Sequence, residues 1–257
     1  MAVVVHKGAK LAYEDRGTGK PAFVFVHGWA CNRSSFAPQA EHFSPRHRVV
    51  SIDLRGHGES DTGAENISIA AHAEDVAHLI EQIELGRVVA VGHSMGALVV
   101  LQLAAAHPEQ VLAMVMVDPA SFVRSPEQRA GIEALAAAID AGNQEPLRQF
   151  IVNRLFLPRS DRQLVNDVLA LMLSAPSEVS TAEVRAMVAF NGPAVAAQCK
   201  VPVLHLAATR PFNSPHDMSQ WLPTVVTGCT VGGGHFNQLE VPDQVNAMIE
   251  GFLRQHV

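Results

Sequence analysis

RVVAVGHSMGALVVLQLAAAH, residues 87–107, reads as a strand, a tight turn and a helix with nothing between them. Arg87–Val91 is a near-continuous β-branched run, the pattern of a strand covered on both faces. Met95–His107 is helical and stops at Pro108, whose ring ends the ladder. Between them Gly92-His93-Ser94-Met95-Gly96 is a G-x-S-x-G turn in the strand–turn–helix setting of a nucleophile elbow. In so tight a turn, side chains two positions either side of the serine are expected to collide, which calls for glycine at both places. The helix N-terminus then presents free N–H groups beside the serine. A dinucleotide-binding turn also follows a strand and opens a helix. Ser94 replaces its middle glycine, and the side chain would block the close approach of a pyrophosphate.

The same alternation extends outward from this stretch. AFVFV (22–26), RVVSI (48–52), LAMVMV (112–117) and PVLHLA (202–207) are further apolar strands, and ISIAAHAEDVAHLIEQIEL (67–85) is a helix. Strand–helix alternation predicts an α/β fold: a mostly parallel sheet with helices on both faces. The N-terminal VVVH and KLAYED read as an antiparallel hairpin at the sheet edge. The rhythm breaks between about residues 120 and 198. Four amphipathic segments lie there, SPEQRAGIEALAAAID, EPLRQFIVNRLF, RQLVNDVLALML and TAEVRAMVAF, punctuated by prolines 126, 146, 158, 176 and 193. We read 1–119 and 199–257 as one core and 120–198 as a helical cap inserted between two strands. Phe150, Leu155, Phe156, Met172 and Met187 exceed what a helix–helix seam needs, so some are expected to line a pocket.

Composition narrows the function classes. The 257 residues are 48% apolar and 17% charged, with a formal charge of −6 and no basic stripe for nucleic acid or an anionic membrane. Apolar runs such as VLAMVMV are too short to span a bilayer. MAVVVHKGAK lacks the long apolar stretch of a secretory signal, so a soluble cytoplasmic protein is expected. Cys31, Cys199 and Cys229 have no metal or redox spacing and are read as buried, inert thiols.

HGW (27–29), DLRGHGES (53–60), GHSMG (92–96) and GGGHF (232–236), in that order, resemble the landmarks of the α/β-hydrolase family across essentially the whole core. The resemblance implies that Ser94 is the nucleophile and His235, after GGG, its base. It implies an oxyanion hole from two backbone N–H groups, those of Met95 and Trp29. DLRGHGES is read as a structural turn stabilised by Asp53 and Arg55, and His27, His57 and His93 as loop-shaping hydrogen-bonders. The family's usual acid follows the strand corresponding to PVLHLA, where this chain has Ala208-Thr209-Arg210-Pro211-Phe212-Asn213 and no carboxylate. Some branches place the acid one strand earlier, which points to Asp118 in VDPA. Asp217 is the alternative.

The resulting expectation is hydrolysis of a small, largely apolar ester or lactone through an acyl-serine, with Asp118 orienting His235. A small-molecule substrate is the partner, and no metal or organic cofactor is implied. Dehalogenases and epoxide hydrolases of this family carry an aspartate where Ser94 stands. Two other readings stay open: a cofactor-free ring-opening dioxygenase, suggested by Asp118 and the GWxC around Trp29, and a hydrolase-like receptor for a small ligand.

Overall fold

The strand runs take their places in one sheet. In the computed structural model, which describes residues 2–63 and 67–257, the strands are β1 (Ala2–His6), β2 (Ala9–Arg16), β3 (Ala22–Val26), β4 (Val49–Ile52), β5 (Val88–His93), β6 (Val111–Val117), β7 (Val203–Ala207) and β8 (Val226–Cys229). Their spatial order is β1-β2-β4-β3-β5-β6-β7-β8. The N-terminal hairpin pairs antiparallel, β2 continues antiparallel onto β4, and all other pairings are parallel. The five apolar runs read from the sequence all lie in strands, with ends moved by one or two residues. β8 was not foreseen.

Period-two alternation explains why these strands are apolar throughout. Phe23, Phe25, Val89, Val91, Val115 and Val117 point to one face; Val24, Val26, Val88, Ala90, Met114 and Met116 point to the other. The first face is covered by α1 (Ala37–Phe43) and by the C-terminal helix, through Phe43, Val245, Ile249 and Phe252. On the second face lie α2 (Ile69–Gln82) and α3 (Met95–Ala106). α2 buries Ile69, Ala73, Val76 and Ile80 as a stripe, whereas α3 is apolar and buried nearly all round, as a central helix must be.

Between β6 and β7 the chain forms α4 (Pro126–Asp140), α5 (Glu145–Phe150), α6 (Arg162–Ser174), α7 (Ser177–Ala189) and α8 (Gly192–Ala196). α5 runs on into a π-type turn at Ile151–Leu155, so the four helical segments read from sequence correspond to α4, α5 with its turn, α6 and α7. The chain closes with α9 (Pro215–Trp221), α10 (Asn237–Glu240) and α11 (Pro242–His256). Among the described residues no helix is long and apolar enough to cross a membrane. All three cysteines are free. Cys31 is buried, and burial pushes its thiol up to about 12. Cys199 is only partly buried and Cys229 is exposed on β8, which corrects the reading of three buried thiols.

One charged cluster ties the inserted helices to the core. Glu183 of α7 is fully buried, with His72 Nε2 of α2 at 3.0 Å and His57 Nε2 at 3.2 Å. The His57 contact has ion-pair distance but lies off a hydrogen-bond line. His57 Nδ1 already donates to Arg55 O at 3.1 Å, so only the positively charged imidazolium can also present an N–H from Nε2 to the carboxylate. Burial opposes that charge, but Glu183 outweighs it and holds His57 above the usual histidine value. Burial likewise opposes the Glu183 charge, and the His57 cation overrides it, pulling Glu183 down to about 2. His27 sits alongside, donating from Nδ1 to Gly28 O at 2.8 Å and accepting Leu54 N–H on Nε2 at 2.9 Å. It is neutral, pushed down to about 3 by burial and then by His57.

Removing one member of a buried charged set leaves the others uncompensated. Glu183→Gln is therefore expected to lower stability by about 3 kcal/mol in urea unfolding at neutral pH. Acid should also act in a defined window. The His27 contribution is present above 6.5 and lost as pH falls toward 3, and that of Glu183 is present above 4.5 and lost toward 2. His57 runs the other way, its contribution complete below 6.5 and lost as pH rises through its raised value. Wild-type midpoints measured from pH 7 to 2 should fall steadily, and the lower part of that fall should flatten in Glu183→Gln. An unchanged midpoint in the variant at every pH contradicts this account.

Candidate active site

The β5–α3 turn bends because two glycines allow it. A methyl group at Gly92 would drive into the backbone of Gly96, and one at Gly96 would drive into the carbonyls of Val26 and His27. The second glycine therefore serves the close approach of β3, where the sequence reading had only crowding around the serine. Ser94 stands at φ 53° and ψ −115°, a left-handed conformation that a non-glycine residue adopts only when its surroundings hold it. What holds it is backbone pairing: Ser94 N–H donates to Val117 O at 3.0 Å and Ser94 O accepts from Ala120 N–H at 3.1 Å. Its hydroxyl makes no hydrogen bond with any described residue.

β6 ends at Val117, and Asp118 also turns left-handed, with φ 36°. Aspartate tolerates that region better than most residues, and Pro119 keeps the chain from continuing as a ladder strand. The Asp118 side chain is fully buried. Its Oδ1 accepts Ala208 N–H at 3.2 Å, and its Oδ2 stands 2.6 Å from His235 Nδ1. Asp217 is elsewhere: it forms a capping box with Ser214 at the start of α9. The acid beside His235 is Asp118.

His235 is held from three directions. Its N–H donates to Leu155 O at 2.7 Å, its carbonyl accepts Nε2–H of His93 at 2.8 Å, and the Phe212 ring stands edge-on to its imidazole at 4.9 Å. With Nδ1–H committed to Asp118, Nε2 is left as the basic nitrogen. His93, buried 4.6 Å from that ring, is held well below the usual histidine value by burial and by His235, so it stays a neutral donor. The N–H groups of Trp29 and Met95 are taken by no described residue. The Trp29 indole donates to Ser180 O of α7 at 2.9 Å.

A model of the α/β-hydrolase fold matches residues 21–190. The chain belongs to the α/β-hydrolase fold family. It is similar to a 2-(acetamidomethylene)succinate hydrolase of Mesorhizobium japonicum, 32% identical over 134 residues, which are 52% of this chain and 46% of that protein. The chain spans about half the length, or less, of curated relatives that it matches. Among solved structures it resembles a thermophilic esterase from Thermogutta terrifontis (TM-score 0.87, 25% identity, 99% of this chain and 97% of that one). It also resembles an N-acyl homoserine lactone degrading enzyme (TM-score 0.79, 26% identity, 98% and 100%).

In this α/β-hydrolase, Ser94, His235 and Trp29 line one cavity of about 840 Å³ beneath α4–α7. Four of the five apolar positions singled out in the sequence, Phe150, Leu155, Met172 and Met187, also line it. Phe156 does not; it stacks on Phe236 at 5.4 Å. The 53–60 turn lies outside the cavity and is held by its acid. Asp53 accepts the N–H groups of Arg33 and Glu59 and pairs with the Arg33 guanidinium, while Arg55 is buried in a bidentate pair with Asp75. Three residues escaped the sequence reading: Asn213, which pins the Pro119–Phe122 turn, and Arg124 and Arg154 in the cavity wall. No motif marks any of them.

The elbow's geometry predicts contrasting effects for two glycines. Gly92→Ala must displace the backbone of Gly96 and should cost about 3 kcal/mol or prevent folding. At Gly131, inside α4, a methyl group meets nothing within 4 Å. Gly131→Ala should therefore raise stability by about 0.5–1 kcal/mol. Melting curves of the two variants check both; equal shifts would show that the elbow tolerates a side chain.

Proposed function

We propose that this chain is a serine hydrolase of a small, largely apolar ester or lactone, working through an acyl-serine. The observation that carries the reading is the buried 2.6 Å contact between Asp118 and His235, on a ring that shares its cavity with Ser94. Ser94 Oγ attacks the carbonyl carbon as its proton passes to His235 Nε2, the serine hydroxyl turning onto that nitrogen as the carbonyl enters. The N–H groups of Met95 and Trp29, free of partners among the described residues, receive the oxyanion. The imidazolium returns its proton to the departing alkoxide, leaving the acyl group on Ser94. Water, deprotonated by His235, then attacks the acyl carbon; the bond to Ser94 Oγ breaks, the imidazolium returns the proton to that oxygen, and the acid is released. Throughout, Asp118 remains a carboxylate, fixing the tautomer and stabilising the ring's charge.

Residues 120–198 act as the cap over this site, and their apolar side chains set the shape of the acyl pocket. The hydrolase, esterase and lactone-degrading names of the relatives agree with the reading. A second reading is favoured by the free Ser94 hydroxyl: a His235–Asp118 base that removes a proton from an acidic ring hydroxyl ahead of cofactor-free oxygenation. Oxygen consumption during turnover belongs to that reading alone.

A fluorophosphonate should label Ser94, and Ser94→Ala should abolish both labelling and ester turnover without loss of fold. Persistent labelling at full strength in Ser94→Ala would remove the nucleophile assignment. Asp118→Asn should lower kcat by about two to four orders of magnitude with little change in KM, because a wrong tautomer hurts the chemical step. Asp217→Asn should cost less than about tenfold in rate, its loss being a helix cap worth about 1 kcal/mol. The reverse ranking would return the acid to the loop after β7.

A further inference from the structure

The cavity wall is apolar except for a few polar groups, and its charge is of one sign. Arg124 and Arg154 line it, and no aspartate or glutamate is among the described lining residues. Buried and part-buried arginines elsewhere meet acids: Arg33 pairs with Asp53 and Glu59, Arg48 with Asp15, Arg55 with Asp75. The hydrogen bonds of the two cavity arginines to described residues go to carbonyls. Arg124 Nη1 donates to Met187 O at 2.7 Å, and Arg154 Nη1 donates to Arg210 O at 3.1 Å while its guanidinium lies 3.9 Å above the Phe212 ring.

The two charges are not equivalent. Arg154 stacks on the ring that touches His235, and it senses the Asp118 carboxylate, so a counter-charge answers it within the protein. Arg124 has none. Burial, and then the neighbouring Arg129, push its guanidinium down to about 10. One bond to Met187 uses one of the five N–H donors of a guanidinium. The cavity that Arg124 lines is also walled by Ile132, Leu135, Met187 and Val188, apolar surroundings in which a charge interacts more strongly than in water. Tying a loop to one carbonyl needs only a single neutral donor. A part-buried cation without an acid is better explained by an anion that arrives with the ligand, since guanidinium and carboxylate match as a planar, two-bond pair.

We propose that the cavity takes an ester or lactone carrying a carboxylate remote from the scissile carbonyl, and that Arg124, under α4 and α7, anchors that carboxylate. The proposal rests on the serine-hydrolase reading for the reaction; the binding of the anion is independent of it. Arg154 adds positive potential at the end nearer His235.

The test compares the 4-nitrophenyl monoesters of succinic, glutaric and adipic acids with the same esters methylated at the far carboxyl. At least one anionic ester should exceed its methylated partner by about tenfold or more in kcat/KM, the scale of a charge-assisted contact. That ratio should collapse toward one in Arg124→Gln, which keeps a donor for Met187 O, and survive largely in Arg124→Lys. Added salt should raise KM for the anionic ester alone. Calorimetric titration of both ester types onto the Ser94→Ala protein reads binding without chemistry. Anion-selective, Arg124-dependent binding by a protein that cleaves neither ester would sink the hydrolase reading and leave this one standing. Cleavage of both types with no selectivity, and no selectivity in the titration, overturns the proposal. So does a ratio that collapses only in Arg154→Gln. If Arg124→Gln does not fold, a wild-type KM insensitive to salt is the overturning result.

Discussion

The contact between Asp118 Oδ2 and His235 Nδ1 joins residues 117 positions apart, and most of the surrounding structure serves to hold its two ends. The aspartate end is set by the sheet. β6 stops one residue earlier, Asp118 N–H still bonds to Leu206 O of β7 at 2.8 Å, and the left-handed turn at Asp118 sends the side chain off the strand line. Asn213 then fixes the exit, donating to Pro119 O and Ala120 O and accepting Phe122 N–H. The histidine end is set by a loop with little internal structure, so its position is borrowed from Leu155 of the π-type turn and from His93 inside the elbow. A disturbance in the inserted helices would thus reach the imidazole through a backbone hydrogen bond.

That dependence makes the docking of the inserted helices part of the site's geometry. Two contacts secure it on the side of the first strand–helix loop, the Trp29 indole on Ser180 O and the buried Glu183 among His57 and His72. Gly56 approaches Val179 of α7 so closely that a methyl group there would overlap its side chain. A buried ion cluster is a weak source of net stability, because desolvation offsets its Coulomb gain. What it supplies is discrimination: other placements of α7 would bury Glu183 without its partners or leave two histidines facing apolar surface. Such a device specifies where the helices sit more than how tightly they hold.

The legible parts of this molecule were those where local chemistry and tertiary demand agree. The parallel strands announced themselves because burial on both faces forces apolar residues at every position, and the elbow because steric closeness demands glycine at fixed places. The resemblance to the family pointed to Asp118, which sits at the carboxyl edge of the sheet, where active sites of this architecture gather. β8 was missed because it is an edge strand of four residues, partly exposed and containing Gly228, without the burial that makes strands readable. Exposure of Cys229 has the same origin. Glu183 was illegible for the opposite reason: a glutamate in an amphipathic helix reads as a solvated face, and its partners come from a turn and a helix about 110 to 130 positions away. Asn213, Arg124 and Arg154 belong to the same class, polar residues whose meaning lies in partners that only the fold assembles.

The site also concentrates backbone strain where the chemistry is proposed. Ser94 and Asp118 both have positive φ without being glycine, and both sit one step past the end of a strand, β5 and β6 respectively. Each such residue costs of order 1–3 kcal/mol. The two are linked, because Ser94 N–H bonds to Val117 O and Ala120 N–H bonds to Ser94 O. The strained turn at one strand end therefore templates the strained turn at the next, and neither can relax alone. A shared constraint of this kind keeps a serine, an imidazole-bearing loop and a carboxylate in register without requiring that they hydrogen-bond continuously. It is consistent with a Ser94 hydroxyl that carries no bond to any described residue while the Asp118–His235 pair stays closed. The sheet edge holds the framework, and the last contact is left for an incoming carbonyl to complete.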